Sequence, residues 1–480
     1  MSYEYDMAVI GAGAAGLTAA GMSALLGAKT VLIEANRLGG DCTWAGCIPS
    51  KTLLQASKAV HQMRTAGRFG LTPIQPEFDF SNVIDHIRQV RQHIYDDSDA
   101  PSQIEKLGVE VILGSARFCD PHTLQIRKAC GHLHRLTSRF FVIAAGSRPK
   151  EPAFSEPVLT NETIFEQRSQ PKRLLIMGAG PVGIEMAQAF VRLGSEVTVV
   201  AHGTRALPRD DAEHASTLQE CLSREGVGFL FRQRVTSLNK GHQCLSAVLE
   251  GGRTLSCDAA LAAIGRQPTI EALSLENAGV AFTQQGIAVD RHCRTSKRHI
   301  YAAGDVTGKY QFTHMAEHMS KVAIMNAILR WPKALDSKHV VWSTFTEPEL
   351  AHLGKSEEQL QRHNKKFTVV RFTFKKLDRA ITESNTTGAI KVLADKRGRI
   401  LGASILGANA GEMISEYALA MRHGLRLSHI AETIHPYPTY MLGNRRTADQ
   451  FIAKQLDSPL LGLLGRFLQY RGQRKGASVL

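Results

Sequence analysis

The sequence predicts an α/β protein with two Rossmann-like dinucleotide-binding domains followed by a C-terminal α+β domain. Three observations carry this reading. The pattern of apolar strand, Gly-x-Gly-x-x-Gly turn and helix occurs twice, around residues 11–16 and 178–183. Each copy runs on into a second apolar strand, which completes a βαβ unit. The last third of the chain changes character: the alternating segments 367–374 and 389–393 precede a helical stretch over 411–423. The 480 residues leave room for about three domains of the usual ~150 residues.

In the first copy, the strand Met7-Ala8-Val9-Ile10 leads into Gly11-Ala12-Gly13-Ala14-Ala15-Gly16 and an alanine-rich helix, and the next strand, Thr30-Val31-Leu32-Ile33, ends at Glu34. The glycines let the backbone approach a pyrophosphate, the helix N-terminus offers free N–H groups, and Glu34 can accept a hydrogen bond from a ribose hydroxyl. In the second copy, the strand from Arg173 to Met177 leads into Gly178-Ala179-Gly180-Pro181-Val182-Gly183 and the helix opening Ile184-Glu185-Met186-Ala187. The position matching Glu34 lies 18 residues after the last glycine in both copies, and in the second it is Ala201. With no carboxylate there, and with His202, Arg205 and Arg209 just beyond, the second site suits a 2′-phosphate, hence NADPH over NADH. The plainer alternative is a solvated basic loop.

Between these units lies Gly39-Gly40-Asp41-Cys42-Thr43-Trp44-Ala45-Gly46-Cys47-Ile48-Pro49-Ser50-Lys51. On one regular helix, two residues five apart diverge by about 140°, too far for a disulfide. The pair therefore has to straddle an irregular turn, which Gly46 allows, and Pro49 suits the first turn of a helix running through Lys51. Cys47 then lies near the positive helix end with Lys51 close by, which favours thiolate. A redox pair is the favoured reading. Zinc, which would need a second Cys/His cluster of matching spacing, and an inert pair remain as alternatives, and no metal site is expected.

With Ala144-Ala145-Gly146-Ser147-Arg148-Pro149, Ala263-Ile264-Gly265-Arg266-Gln267-Pro268, Tyr301-Ala302-Ala303-Gly304-Asp305, Phe345-Thr346-Glu347-Pro348-Glu349-Leu350-Ala351 and the His-Pro-Tyr-Pro-Thr stretch at 435–439, the chain resembles the FAD-dependent pyridine nucleotide-disulfide oxidoreductases. That group includes glutathione reductase, dihydrolipoamide dehydrogenase and mercuric reductase. The resemblance implies an FAD-binding domain (1–150 and 269–335), an NAD(P)-binding domain (151–268) and a dimerisation domain (336–455). It implies that Asp305 bonds the flavin ribitol, that the helix opened by Thr313, His314, Met315 and Ala316 points at the flavin ring, and that Lys51 sits by the flavin paired with Glu185. Gly40, Ala145 and Gly146 join the FAD contacts, and Gly265 joins the nucleotide contacts. It further implies a relay from NADPH through flavin and a Cys42–Cys47 disulfide to a disulfide, thiol-bound or metal acceptor, with Cys47 facing the flavin and Cys42 attacking the substrate. The alternatives are dithiol oxidation with NAD, as in dihydrolipoamide dehydrogenase, and a flavoprotein redox sensor.

In the resembled family, a His followed by Pro-Thr, with a Glu five residues after it, handles the substrate proton. Matching Pro-Thr puts Tyr437 at the His and Leu442 at the Glu; matching His-Pro selects His435, with Tyr440 at the acid position. Neither choice supplies the carboxylate. Mercuric reductases share the Tyr but capture metal on a C-terminal cysteine pair, and no cysteine follows Cys293 here. A homodimer is expected, with 435–440 completing the partner's site.

The net charge of +14 is spread along the chain without a nucleic-acid motif, so its expected use is attraction of anionic ligands rather than nucleic acid. The eight cysteines form no disulfide framework, and neither a secretory leader nor a membrane-spanning run is evident, so a cytoplasmic location is expected. In the segment 456–480, leucines and Phe467 recur at helical spacing beside Arg466, Arg471, Arg474 and Lys475. This makes a basic amphipathic tail, a candidate for docking on a membrane surface or a partner, or for packing on its own dimer.

Overall fold

The computed structural model describes residues 3–154, 156–241, 244–456 and 467–470, so the amphipathic pattern expected over 456–480 lies largely outside the described residues. The chain divides into two compact units, one of residues 1–56, 77–178 and 234–336, the other of 57–76, 179–233 and 337–480. The segment 151–268 contributes to both.

The first unit is built on a seven-stranded sheet. Its strands run in the order Val109–Leu113, Thr30–Glu34, Tyr5–Ile10, Leu133–Ile143, Thr123–Arg127 and Ser115–Asp120, with Ile300–Ala302 also paired to Leu133–Ile143. The pairs Tyr5–Ile10 with Thr30–Glu34, Thr30–Glu34 with Val109–Leu113, and Ile300–Ala302 with Leu133–Ile143 are parallel. Val9 pairs with Leu32 on one side and Val142 on the other. Continuous apolar strands of this kind are what a sheet covered on both faces demands. One face packs Phe118, Phe141, Ile126 and Ile300, and the other packs Met7, Leu32, Ala19 and Met319. Helices Ala14–Leu25 and Thr313–Ala327 meet closely enough for the buried Ser320 hydroxyl to donate to the Ala15 carbonyl at 2.7 Å. The strand Arg173–Met177 pairs in parallel with Ala259–Ala262 in the same unit.

The second unit carries helix Pro181–Leu193, with proline in its first turn and Gly194 in the left-handed region at its end. It also holds the parallel pair Glu196–Ala201 and Gly228–Phe231. Its larger part is a five-stranded antiparallel sheet ordered Val341–Thr344, Glu349–Gly354, Ile400–Gly407, Ala389–Ala394, Thr368–Thr373. The two strands read from alternation, and helix Ala410–Arg422, fall where the sequence pattern put them. Phe374, Ile390, Ile405, Tyr417 and Phe451 fill the core.

Helix Ala212–Arg224 is tied to this sheet by buried polar contacts. Lys391, only 5% exposed, reaches Asp211 at 2.8 Å, Glu357 at 2.7 Å and Glu213 at 3.4 Å, while His214 Nδ1 meets Ser404 Oγ at 2.8 Å. Burial depresses His214 to about 4. A depressed histidine contributes stability that is complete above its ordinary value near 6.5 and lost as pH falls toward 4, because the unfolded chain takes the proton first. Chemical denaturation between pH ~7 and ~4.5 should therefore show a loss of about 2 kcal/mol from this residue, which His214→Asn removes. An acid limb unchanged in the variant would contradict the assignment.

Candidate active site

The first fingerprint turn leaves no room for a side chain at Gly11 or Gly16. A Cβ on Gly11, whose φ is +98°, would lie 2.4 Å from the Ala144 carbonyl oxygen, and one on Gly16 would lie 1.7 Å from the Gly11 oxygen. Gly13 caps helix Ala14–Leu25 with no side-chain hydrogen bond, at a helix start where an anion is favoured. Glu34 is fixed by two backbone donors, Ala12 N–H at 2.7 Å and Asn36 N–H at 2.8 Å. This cradle and its oriented carboxylate fit the adenosine diphosphate part of FAD. Gly146 has φ +70°. Asp305 lies at the start of a 3-10 turn, where its Oδ2 accepts from Ser147 Oγ at 2.6 Å, and burial raises its pKa. Ala316 packs against Gly304, and His314 stacks on Phe312.

The cysteine segment lies directly on this turn. A Cβ on Gly40 would come within 2.6 Å of Gly13 Cα, and Gly39 N–H donates to the Ala12 carbonyl at 2.8 Å. A short helix, Gly40–Trp44, carries Cys42; it breaks at Ala45, and a second helix, Cys47–Arg64, begins at Cys47 with Pro49 in its first turn. Gly46 makes the break possible, since a Cβ there would meet the Asp41 carbonyl oxygen at 2.8 Å and its carboxylate at 2.9 Å. The short helix is pinned by Thr43 Oγ1 to Asp99 at 2.7 Å and by Arg91 to the Trp44 carbonyl at 2.7 Å.

Cys42 and Cys47 are both partly buried at this break. The two sulfurs act on each other electrostatically, and Cys47 Sγ lies 3.4 Å from the Thr313 hydroxyl. Cys47 is drawn down to about 6, first by Cys42, then by Thr313 and the charge of Lys51, against the upward pull of burial. Cys42 is pushed up first by Cys47, then by burial and by the neighbouring charge of Asp41. Lys51 Nζ donates to Ser50 Oγ at 3.3 Å. Nothing local in the sequence marks the Thr313 hydroxyl, 266 residues from Cys47, as a sulfur contact.

At the second fingerprint, Gly178 has φ +111°, and a Cβ there would lie 2.3 Å from the Ala263 oxygen. Gly180 caps helix Pro181–Leu193 without a side-chain bond, Gly183 is buried and Val182 is 48% exposed. Gly265 has φ +110°. Within the second unit, the buried Glu185 accepts from Phe345 N–H at 2.9 Å. Ala201 is buried at its strand end, while His202 and Arg209 are exposed. Arg205 departs from expectation. Its two terminal nitrogens donate to the carbonyls of Ala206, Leu207, Pro208 and Asp210 in its own loop, because a turn with so many carbonyls converging needs a local donor.

The C-terminal segment also corrects an expectation. The carboxylate that neither alignment supplied comes from another helix: Glu416 Oε1 lies 2.9 Å from His435 Nε2, and Nδ1 lies 2.9 Å from the Thr433 carbonyl. Both ring nitrogens of the buried His435 are thus engaged internally, whereas Tyr437 is 69% exposed. Glu416 was not legible from the sequence, since its contact depends on how helix Ala410–Arg422 packs. Among the described residues, no cluster of three or more His, Cys, Asp or Glu could hold a metal ion, and no helix is long and apolar enough to cross a membrane.

Residues 5–320 match the family "Pyridine nucleotide-disulphide oxidoreductase", and residues 340–444 match its dimerisation domain, which fits a homodimer. Dihydrolipoyl dehydrogenase of Bacillus subtilis (strain 168) is 31% identical over 459 residues, covering 92% of this chain and 96% of the relative. Mercuric reductase of Lysinibacillus sphaericus is 32% identical over 462 residues, covering 93% and 83%. Among solved structures, the Cu(II) complex of the HOCl-induced flavoprotein disulfide reductase RclA from Escherichia coli superposes with a TM-score of 0.82 at 27% identity, covering 94% of this chain and 99% of that one. With a nucleotide cradle, a paired-thiol turn and a dimerisation domain in one chain, the protein belongs to the pyridine nucleotide-disulphide oxidoreductase family, FAD-binding enzymes that use a pyridine nucleotide and act on sulfur groups.

Proposed function

We propose that this enzyme uses NADPH to keep Cys42 and Cys47 reduced and that the dithiol then reduces a disulfide, thiol-bound or metal acceptor. The observation that carries this reading is the cysteine pair at a helix break on the nucleotide cradle: Cys42 on the short helix, Cys47 opening the next, and Gly40 against Gly13. The residues that would hold FAD are Gly11, Gly13 and Gly16 with Glu34 at its adenosine end and Asp305 at its ribitol; when bound, FAD supplies two-electron exchange between nicotinamide and sulfur. Gly178, Gly180 and Gly183 would hold the nicotinamide nucleotide, within the segment 151–268.

Cys42 is the attacking thiol in this reading, and Cys47 beside it gives its proton a destination. Toward a disulfide acceptor, Cys42 sulfur attacks one acceptor sulfur and the other leaves as a thiol after taking a proton. Cys47, having taken the Cys42 proton, passes it to the departing second sulfur as its own sulfur attacks Cys42, which closes the Cys42–Cys47 disulfide and releases the second thiol. Tyr437 of the second subunit is the proposed proton donor to the leaving group, because its hydroxyl is on an exposed side chain while His435 is committed to Glu416 and Thr433. The names of two relatives, mercuric reductase and a reductase solved with Cu(II), support including metal ions among the acceptors. The dihydrolipoyl dehydrogenase relatives support the reverse reaction with NAD, against which Ala201 and the exposed His202 and Arg209 favour a 2′-phosphorylated nucleotide.

Anaerobic titration with NADPH tests the central claim. A long-wavelength charge-transfer band at about two electrons, with bleaching complete near four per subunit, is expected of a working flavin and disulfide pair; bleaching at two without the band ends the reading. Arg209→Ala is expected to raise the KM for NADPH about tenfold and leave that for NADH unchanged. Equal changes for both would remove the 2′-phosphate argument. Tyr437→Phe is expected to lower kcat roughly 10²-fold with an unaltered melting temperature, whereas His435→Ala, which strands a partly buried carboxylate, is expected to cost about 1–3 kcal/mol of stability. The opposite pattern would move the proton donor to His435.

A further inference from the structure

Arg266 follows Gly265 in its motif, yet its side chain reaches the redox turn. Its Nη2 lies 3.2 Å from Asp41 Oδ1, the residue before Cys42, and also donates to the Ser147 carbonyl at 2.9 Å. Its Nε donates to Ser147 Oγ at 2.7 Å and lies 3.6 Å from Asp305 Oδ2, while Nη1 donates to Asn161 Oδ1 at 3.3 Å. Asn161 closes the ring by donating to the same Asp41 oxygen at 2.9 Å and to the Ala45 carbonyl at 3.2 Å. The planar guanidinium fork therefore spans two carboxylates, one beside the sulfur pair and one at the flavin-binding end, with Arg266 only 20% exposed.

We infer that Arg266 is a positioning residue for the redox turn: it holds the Asp41 carboxylate against Asn161 and takes up the negative charge that otherwise bears on Cys42 and Cys47. Asp41 is the acidic neighbour raising both thiols, and Lys51 and the Thr313 hydroxyl act on Cys47 in the opposite sense. Glu162, raised by burial and by Asp41, and Asp305 complete the charged groups around the arginine. The geometry also explains Gly46, since the Asp41 carboxylate lies where a Cβ on that residue would be. Without the fork, one carboxylate beside the pair has no cation, and the thiolate at Cys47 becomes harder to form.

The inference rests on reading Cys42 and Cys47 as the redox pair, but its test does not depend on turnover. The reduced holoenzyme is alkylated with iodoacetamide across a pH series, and the rate at Cys47 is resolved by peptide mapping. Arg266→Met is expected to move the Cys47 midpoint up by about one pH unit and Asp41→Asn to move it down by about half a unit. In the double variant, the effect of Arg266→Met should largely vanish, because the arginine acts through the carboxylate. Arg266→Lys, which keeps charge but not the fork, should recover part of the shift. An unmoved midpoint in Arg266→Met, a full-sized shift persisting in the Asp41→Asn background, or no fall in Asp41→Asn alone each overturns the inference. Midpoints that move as expected in an enzyme whose turnover survives Cys42→Ser would instead sink the redox reading and leave this one standing.

Discussion

Two sulfurs five residues apart can meet only where the helix carrying them is broken, and the site depends on that break. At Ala45 the backbone leaves helical geometry, and Gly46 gives the Asp41 backbone and carboxylate the space a Cβ would take. The break does two things at once. It brings Cys42 within electrostatic reach of Cys47, and it makes Cys47 the opening residue of an 18-residue helix, where partial positive charge gathers. A second close approach, Gly40 on Gly13, fixes this turn against the nucleotide cradle, so the sulfur chemistry and the cofactor site share one piece of backbone.

Much of the first unit was legible because its constraints are local. Continuous apolar strands, glycine spacing and the position of Glu34 each follow from what a βαβ turn must do sterically, and the break at Gly46 follows from helix rotation. Contacts made across sequence distance were not legible. Thr313 beside Cys47, Glu416 beside His435 and Arg266 over Asp41 join residues that no periodicity relates. Arg205 shows a different limit: its charge pointed to a ligand, but its donors serve nearby carbonyls, and the two uses look alike in a sequence.

The second unit spends much of its polarity on structure. Lys391 sits buried among three carboxylates, and Arg192 is held by Glu225 and Glu347 at 2.7 Å each. Buried ions are costly unless fully paired, and removing one partner is worse than replacing the set. Such networks fix the register between helix and sheet. They also show why a high density of charged side chains in this part of the chain is weak evidence for ligand binding.

The loop following Ala201 is already closed on its own arginine. Four carbonyls answered by one guanidinium leave the loop few backbone degrees of freedom, so any ligand that met it would lose little ordering entropy. A platform of that kind separates shape from preference. The exposed side chains beside it, His202 and Arg209, can therefore change while the loop beneath keeps its fold.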